Sequence, residues 1–264
     1  MSKTSDTYWT YYKYNKKNEK NPIVFIHGIG LTHEIWNGQI DFFKNYNTIV
    51  YDLIGHGKTR LNKKQINMKD FSKQLLKLID SLKIEKIHLV GFSLGSLIAR
   101  DFASSHGNRL SSLTIFASIY KRTEDEKRQV INRYESMKKN KDVTKKRALA
   151  RWFSEEFIKK NPNTYKKIYS MLENNNHNTW LKVYKLFAYH EDDDMSIKQI
   201  NTKSLILTGE NDIGSKPKMS ENLSKLIAGS QFKIIPKGKH LCNIECSKDF
   251  NMILKQFIDN NDQT

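Results

Sequence analysis

Ser93 in "GFSLGS", Asp212 in "LTGEND" and His240 in "KGKHLCNIE" are residues whose types fit one chemistry, acyl transfer through an activated hydroxyl. A serine hydroxyl is a weak nucleophile until an imidazole within hydrogen-bond reach takes its proton. The imidazole needs a carboxylate to hold its tautomer and to stabilise the transient imidazolium. The oxyanion formed on the attacked carbonyl needs two fixed N–H donors, each worth roughly two to three orders of magnitude in rate. The backbone N–H of Leu94, directly after the serine, and of Ile29 in "HGIG" stand where such donors belong.

Each signal is ambiguous alone. G-x-S-x-G at 91–95 reads either as a Gly-rich turn or as a tight elbow whose glycines make room around an exposed serine. "GEND" would serve as a surface turn, since Asn and Asp favour turns. His240 alone would pass for a packed or solvated histidine. Glu210 is a rival carboxylate two residues before Asp212, and Glu124 and Asp125 are further candidates in a charge-rich run. His27 is expected to brace the Gly28–Gly30 segment, His56 a neighbouring turn, and His88 to pack within a strand. His177 and His190 are either substrate contacts or solvated. Position is what separates these readings. Ser93, Asp212, His240 and Gly28–Gly30 each follow an apolar run, and loops beyond the carboxyl ends of an open α/β sheet share one edge.

The elements that must position them are legible as strands alternating with helices. Strands are expected at 7–15, 22–28, 47–53, 86–92 and 110–118, the inner ones as short continuous apolar runs typical of strands buried on both faces. Residues 68–82 carry a helical apolar stripe, and so does the segment from Leu94 to a terminating Gly107. Repeated strand–helix–strand units imply an α/β fold, with a mostly parallel central sheet and helices on both faces. Residues 119–200 hold no convincing strand and read as a helical cap. Strands resume at 203–212 and 231–240, each followed by a helix. The expected organisation is a core of residues 1–118 and 201–264 interrupted by the 119–200 cap. The acidic run "EDDD" at 191–194 reads as a solvated loop.

Composition narrows the class. At 264 residues the chain can bury a substantial core as one large domain. Its longest apolar runs are strand-sized and its mean hydropathy is −0.66, so no membrane association is expected. The first twenty residues hold no apolar signal core. Cys242 and Cys246, the only cysteines, read as reduced thiols of a cytoplasmic protein, and they fall short of the four ligands of a usual zinc site. A net charge of +17 is compatible with nucleic-acid binding, but Lys is spread from end to end and no nucleic-acid-binding motif is present. No nucleic-acid partner is expected. The surviving consequence of the charge is a field that favours small anionic substrates.

At these residues the chain resembles the α/β-hydrolase superfamily along nearly its whole length. "HGIG", "YDLIGHGKT", "GFSLGS", "LTGEND" and "KHLCNIE" occupy its strand-end motifs, in the chain order Ser, Asp, His. It is similar in particular to the 3-oxoadipate enol-lactonase group, whose cap carries an Arg-Trp-Phe run matched by "RWFSEEF" at 151–157. The resemblance implies hydrolysis of a small ester or lactone with no metal and no organic cofactor. By position it makes Ser93 the nucleophile, Asp212 the acid, His240 the base, and Ile29 and Leu94 the oxyanion donors. The chain departs from the pattern at Ser96, where many members have glycine, and in the strongly acidic "AYHEDDD". Within the cap, Arg151 beside Trp152 and Phe153 reads either as a cation that pairs a substrate carboxylate while the aromatics enclose its apolar body, or as one exposed cation among many beside aromatics of the cap core. A broader carboxylesterase, including one acting on carrier-bound acyl groups, and a non-catalytic small-molecule sensor share these features.

Overall fold

The short apolar runs fold as the strands of one seven-stranded sheet. The computed structural model describes residues 9–139 and 145–262. The strands are β1 (Tyr12–Asn15), β2 (Ile23–Ile26), β3 (Thr48–Tyr51), β4 (Ile87–Phe92), β5 (Leu110–Phe116), β6 (Ser204–Gly209) and β7 (Gln231–Ile235), in the spatial order 1-3-2-4-5-6-7. Only β1 runs antiparallel, against β3; the remaining pairs are parallel. Each strand is shorter than the stretch that marks it, from one residue at β4 to five at β1 and β7. Of the first predicted strand, residues 7 and 8 lie outside the described residues, as do 140–144 of the predicted cap and both chain ends.

Alternation along the strands separates two cores. Val24 and Ile26 face one, with Ile23 and Phe25 on the opposite side. The first core is closed by α2 (Met68–Ser81) and α3 (Leu94–His106), the second by α1 (Asn37–Phe42) together with α12 (Ser247–Asp259). α2 forms where the sequence places a cap followed by an apolar stripe. Asn67 accepts from the Asp70 N–H and Asp70 returns the bond, while Phe71, Leu75, Leu78 and Ile79 are buried. α3 ends at His106, but Gly107 keeps an ordinary φ of −57° and opens a short 3₁₀ turn. The expected glycine stop therefore uses none of glycine's left-handed freedom.

Between β5 and β6 lie α4 (Glu124–Lys139), α5 (Lys145–Trp152), α6 (Glu155–Lys160), α7 (Pro162–Glu173), α8 (His177–Ala188) and α9 (Asp194–Lys198). α4 packs on α8, where the Tyr134 and Tyr184 rings stack at 6.4 Å, and α5 packs on α7. The chain ends with α10 (Pro217–Ser224) after β6, then the short α11 (Cys242–Glu245) and α12 after β7.

The acidic run corrects its sequence reading in part: Glu191 and Asp193 are exposed, while the side chains of Asp192 and Asp194 are engaged by the fold. Asp192 is buried, accepting from Arg100 Nη2 on α3 at 2.6 Å and from the Lys121 N–H at 2.8 Å. Asp193 caps α9, and Asp194 accepts from the Tyr120 hydroxyl at 3.0 Å. Burial opposes the Asp192 charge, but His190, Arg100 and the Lys121 N–H hold its carboxyl well below the usual range. The run is a clasp that neutralises an arginine on the helix behind Ser93.

Breaking a buried pair from one side strands a charge, which costs about 3–5 kcal/mol. Arg100→Met is expected to lower unfolding stability by that order in urea titrations, and Arg100→Met/Asp192→Leu to recover most of the loss. Equal stability of the single variant and wild type would show that the clasp carries no weight.

Candidate active site

β4 passes directly into α3, and Ser93 is the single residue between them. Its backbone sits at φ 54°, ψ −113°, a strained region for a residue with a side chain. Close packing forces the turn. A Cβ on Gly91 would lie 2.3 Å from the Gly95 carbonyl oxygen, and one on Gly95 would lie 2.6 Å from that of Ile26. Ser93 N–H donates to the Phe116 carbonyl of β5, and the Ser96 hydroxyl donates back to the Ser93 carbonyl. Ser96, where a second glycine was expected, therefore fastens the elbow.

His240, on the loop after β7, brings the candidates together. Its Nε2 lies 3.1 Å from Ser93 Oγ and its Nδ1 2.6 Å from Asp212 Oδ2. The other Asp212 oxygen accepts the N–H groups of Gly214 and Ser215, which fixes the carboxylate on the loop after β6. Phe92 and Trp152 flank the imidazole, with ring centroids 4.9 and 6.2 Å away. Glu210 is turned elsewhere: exposed, it accepts the Lys237 N–H. Glu124 and Asp125 pair within α4, with Lys127 and Arg128.

The Gly28–Gly30 segment lies against this line. Among the described residues neither the Ile29 nor the Leu94 N–H finds an acceptor. His27 braces the segment as expected: it donates from Nδ1 to the Gly28 carbonyl at 2.8 Å and accepts the Leu53 N–H at Nε2 at 3.0 Å. His56 packs edge-on against it. His88 is spent at β4, between the Ser112 hydroxyl and Asp262. His177 borders the cavity above Ser93, whereas His190 sits beside Asp192.

That cavity holds about 290 Å³ and is lined from below by Ile29, Ser93 and His240 and from above by Arg151, Trp152 and Trp180. Arg151 and Trp152 thus border the cavity, but Phe153 does not. It lies just past the end of α5, buried in the second core and stacked on Phe157 at 5.0 Å. Two features escaped sequence reasoning. Asp52, just past β3, accepts both N–H and Nδ1–H of His33 and the Lys58 N–H, pinning the loops after β2 and β3 to each other. A carboxylate ending an apolar strand in "YDLIGHG" was the available signal. Arg122 and Arg133 on or beside α4 also border the cavity, and a charge-rich helix hides such residues.

The family model for the alpha/beta hydrolase fold matches residues 21–245. The chain belongs to the α/β-hydrolase family. Two relatives come from Acinetobacter baylyi. An (E)-2-((N-methylformamido)methylene)succinate hydrolase is 27% identical over 242 residues, covering 90% of each chain. A 3-oxoadipate enol-lactonase is 28% identical, covering 89% of this chain and 88% of its own. Among solved structures, the enol-lactonase from Burkholderia xenovorans superposes with a TM-score of 0.83 at 20% identity, over 95% of this chain and 96% of its own. The α/β-hydrolase architecture is thus shared across the whole sheet. Among the described residues no helix is long and apolar enough to cross a membrane.

Buried rings make the site region of this α/β-hydrolase acid-sensitive. Burial lowers His27 from 6.5 to about 4 and His56 to about 3. Burial raises the Asp52 carboxyl, but His33, His27 and two backbone N–H groups outweigh it and hold it at about 2. The unfolded chain takes up protons at 6.5 while the folded rings stay neutral, so the two histidines contribute full stability above 6.5 and lose it as pH falls toward 4 and then 3. The Asp52 contribution is lost only below 3.8. Each histidine adds a slope of about 1.4 kcal/mol per pH unit inside its window. Urea midpoints from pH 7.5 to 4.5 are expected to fall accordingly, and His56→Gln to remove about one proton's worth of slope. A flat profile would contradict buried neutral rings.

Proposed function

We propose that the protein is a serine hydrolase of small carboxylic esters or lactones, acting through an acyl-enzyme formed on Ser93. The observation that carries the reading is the single imidazole of His240, within hydrogen-bond reach of both the Ser93 hydroxyl and the Asp212 carboxylate. His240 donates from Nδ1 to Asp212, which leaves Nε2 free to accept the hydroxyl proton. Ser93 Oγ attacks the ester carbonyl as that proton moves to Nε2. The N–H groups of Ile29 and Leu94 receive the developing oxyanion, at the turn and helix start where such donors act most strongly. Collapse breaks the C–O bond, and His240 returns the proton to the leaving oxygen. In a lactone that oxygen stays tethered within the acyl chain. Water then gives a proton to His240 as its oxygen attacks the acyl carbonyl; the bond to Ser93 Oγ breaks, His240 returns that proton to Oγ, and the acid is freed.

In this reading residues 119–200 are a cap over a core made of 1–118 and 201–264. The cap supplies Arg151 for a substrate carboxylate and Trp152 as an apolar wall beside the base. The activities of the two Acinetobacter baylyi relatives name the first substrates to try, 3-oxoadipate enol-lactone and the N-methylformamidomethylene succinate. Small anionic substrates of this kind suit the cavity volume and the basic charge.

Ser93→Ala is expected to lower kcat at least about 10⁴-fold and to abolish labelling by a fluorophosphonate probe, and Asp212→Asn to lower kcat by about the same factor. The measurements are steady-state hydrolysis of p-nitrophenyl esters beside the enol-lactone, and probe labelling of folded protein. Wild type that is folded but neither labels nor turns over any ester would overturn the proposal.

A further inference from the structure

The cavity above Ser93 is rich in donors with nothing to donate to. Among its lining residues the buried polar atoms without a partner are Arg133 Nε and Trp180 Nε1, and both are donors only. Arg133 and Arg151 have no ion pair among the described residues, yet they lie close enough to repel. Burial first, and then the charge of Arg133, push the Arg151 guanidinium below its ordinary value. Burial dominates at Arg122 too, with Arg133 again adding repulsion. Among the described residues the acids that border the same space are Asp212, Glu126 and Glu173. Asp212 is spent on His240 and two N–H groups, Glu126 pairs Lys216 at 2.7 Å, and Glu173 is exposed.

Two neighbouring, partly desolvated guanidiniums without a counter-charge are an unfavourable arrangement that an anion relieves. Arg122 is differently engaged. It donates to the Phe187 and Ala188 carbonyls and lies over the Phe187 ring, which fixes it in the wall. The guanidiniums of Arg133 and Arg151 are the forks left for planar two-oxygen acceptors.

We propose that Arg133 and Arg151 form one anion subsite that selects substrates carrying two carboxylates besides the ester bond, with Arg133 the specificity-determining residue. The proposal deepens the serine-hydrolase reading and rests on it for the reaction, but the subsite itself is a binding property that stands without turnover. One carboxylate would face each guanidinium, and the Trp180 N–H would supply an extra donor. The ester carbonyl would then lie toward Ser93.

The test uses p-nitrophenyl esters of butanoic, succinic and tricarballylic acid, which carry no, one and two free carboxylates. The readout is the ratio of kcat/KM for the dianionic ester to that for the neutral one. The ratio is expected to be large in wild type and to fall about tenfold or more in Arg133→Gln, mainly through KM. Arg133→Lys keeps the charge without the fork and is expected to restore part of it. Calorimetric titration of tricarballylate into Ser93→Ala reads binding alone. Its Kd is expected to rise about tenfold or more when Arg133→Gln is added, with butanoate binding far weaker throughout. If no ester turns over while tricarballylate still binds in an Arg133-dependent way, the hydrolase reading fails and the subsite stands. An unchanged ratio in folded Arg133→Gln and Arg133→Lys, or tricarballylate binding no tighter than butanoate, would overturn the subsite.

Discussion

The close approach of β4 and α3 at the Gly91–Gly95 contact is the constraint on which the rest of the site depends. With no side chain at either position, strand and helix meet almost directly, and the one residue between them has to adopt a left-handed φ. Such a conformation costs on the order of 1–3 kcal/mol and persists only where its surroundings over-determine it. Here the surroundings are β2 and β5 on either side of β4, the Phe116 carbonyl that accepts the Ser93 N–H, and the Ser96 hydroxyl. The strain lifts the hydroxyl off the sheet and starts α3 beside it, so one backbone feature fixes both the oxygen and the Leu94 N–H.

The partners of that oxygen come from the other half of the sheet, and their placement is coupled to the helices above. β6 and β7 lie side by side, so their following loops meet and His240 reaches Asp212. The Leu241 N–H donates to the Trp152 carbonyl at the end of α5, and Ser154 N–H bonds Glu245. On the far side Asn175 donates to the Gly30 carbonyl. The helices between β5 and β6 are therefore fastened to the imidazole loop and to the Ile29 loop at once. A shift of these helices would move both the base and a candidate oxyanion donor.

Most of this was legible because the governing patterns are local. A buried parallel strand is a short apolar run, the helix at 68–82 announces itself by its apolar stripe, and the elbow by Gly91, Ser93 and Gly95. The Asp212 assignment against Glu210 was legible only as a preference. The deciding facts are the Gly214 and Ser215 N–H groups, which are properties of a folded loop. Asp192 shows the opposite failure. Four consecutive acids look solvated by composition, but composition does not reveal that Arg100, well inside an apolar helix, would be buried and need a counter-charge. Phe153 failed because α5 stops at Trp152 and the next residue turns into the second core beside Phe157, so the Arg-Trp-Phe run does not all face one cavity.

The same distinction applies to charge. A net +17 spread over the surface acts through water and salt, where fields between exposed groups fade within about 10 Å. That excess raises the local concentration of anions but distinguishes poorly among them. Arg133 and Arg151 act in a partly dry cavity, where the interaction between unit charges is several times stronger and donor geometry counts. In the proposed subsite, discrimination between a neutral ester and a charged one would belong to two residues among the 45 Lys and Arg of the chain, set apart by burial and lack of partners rather than by charge. Arg122 makes the point in reverse. It borders the same cavity with the same guanidinium, but its carbonyl partners and the Phe187 ring have already taken up what it would offer a ligand.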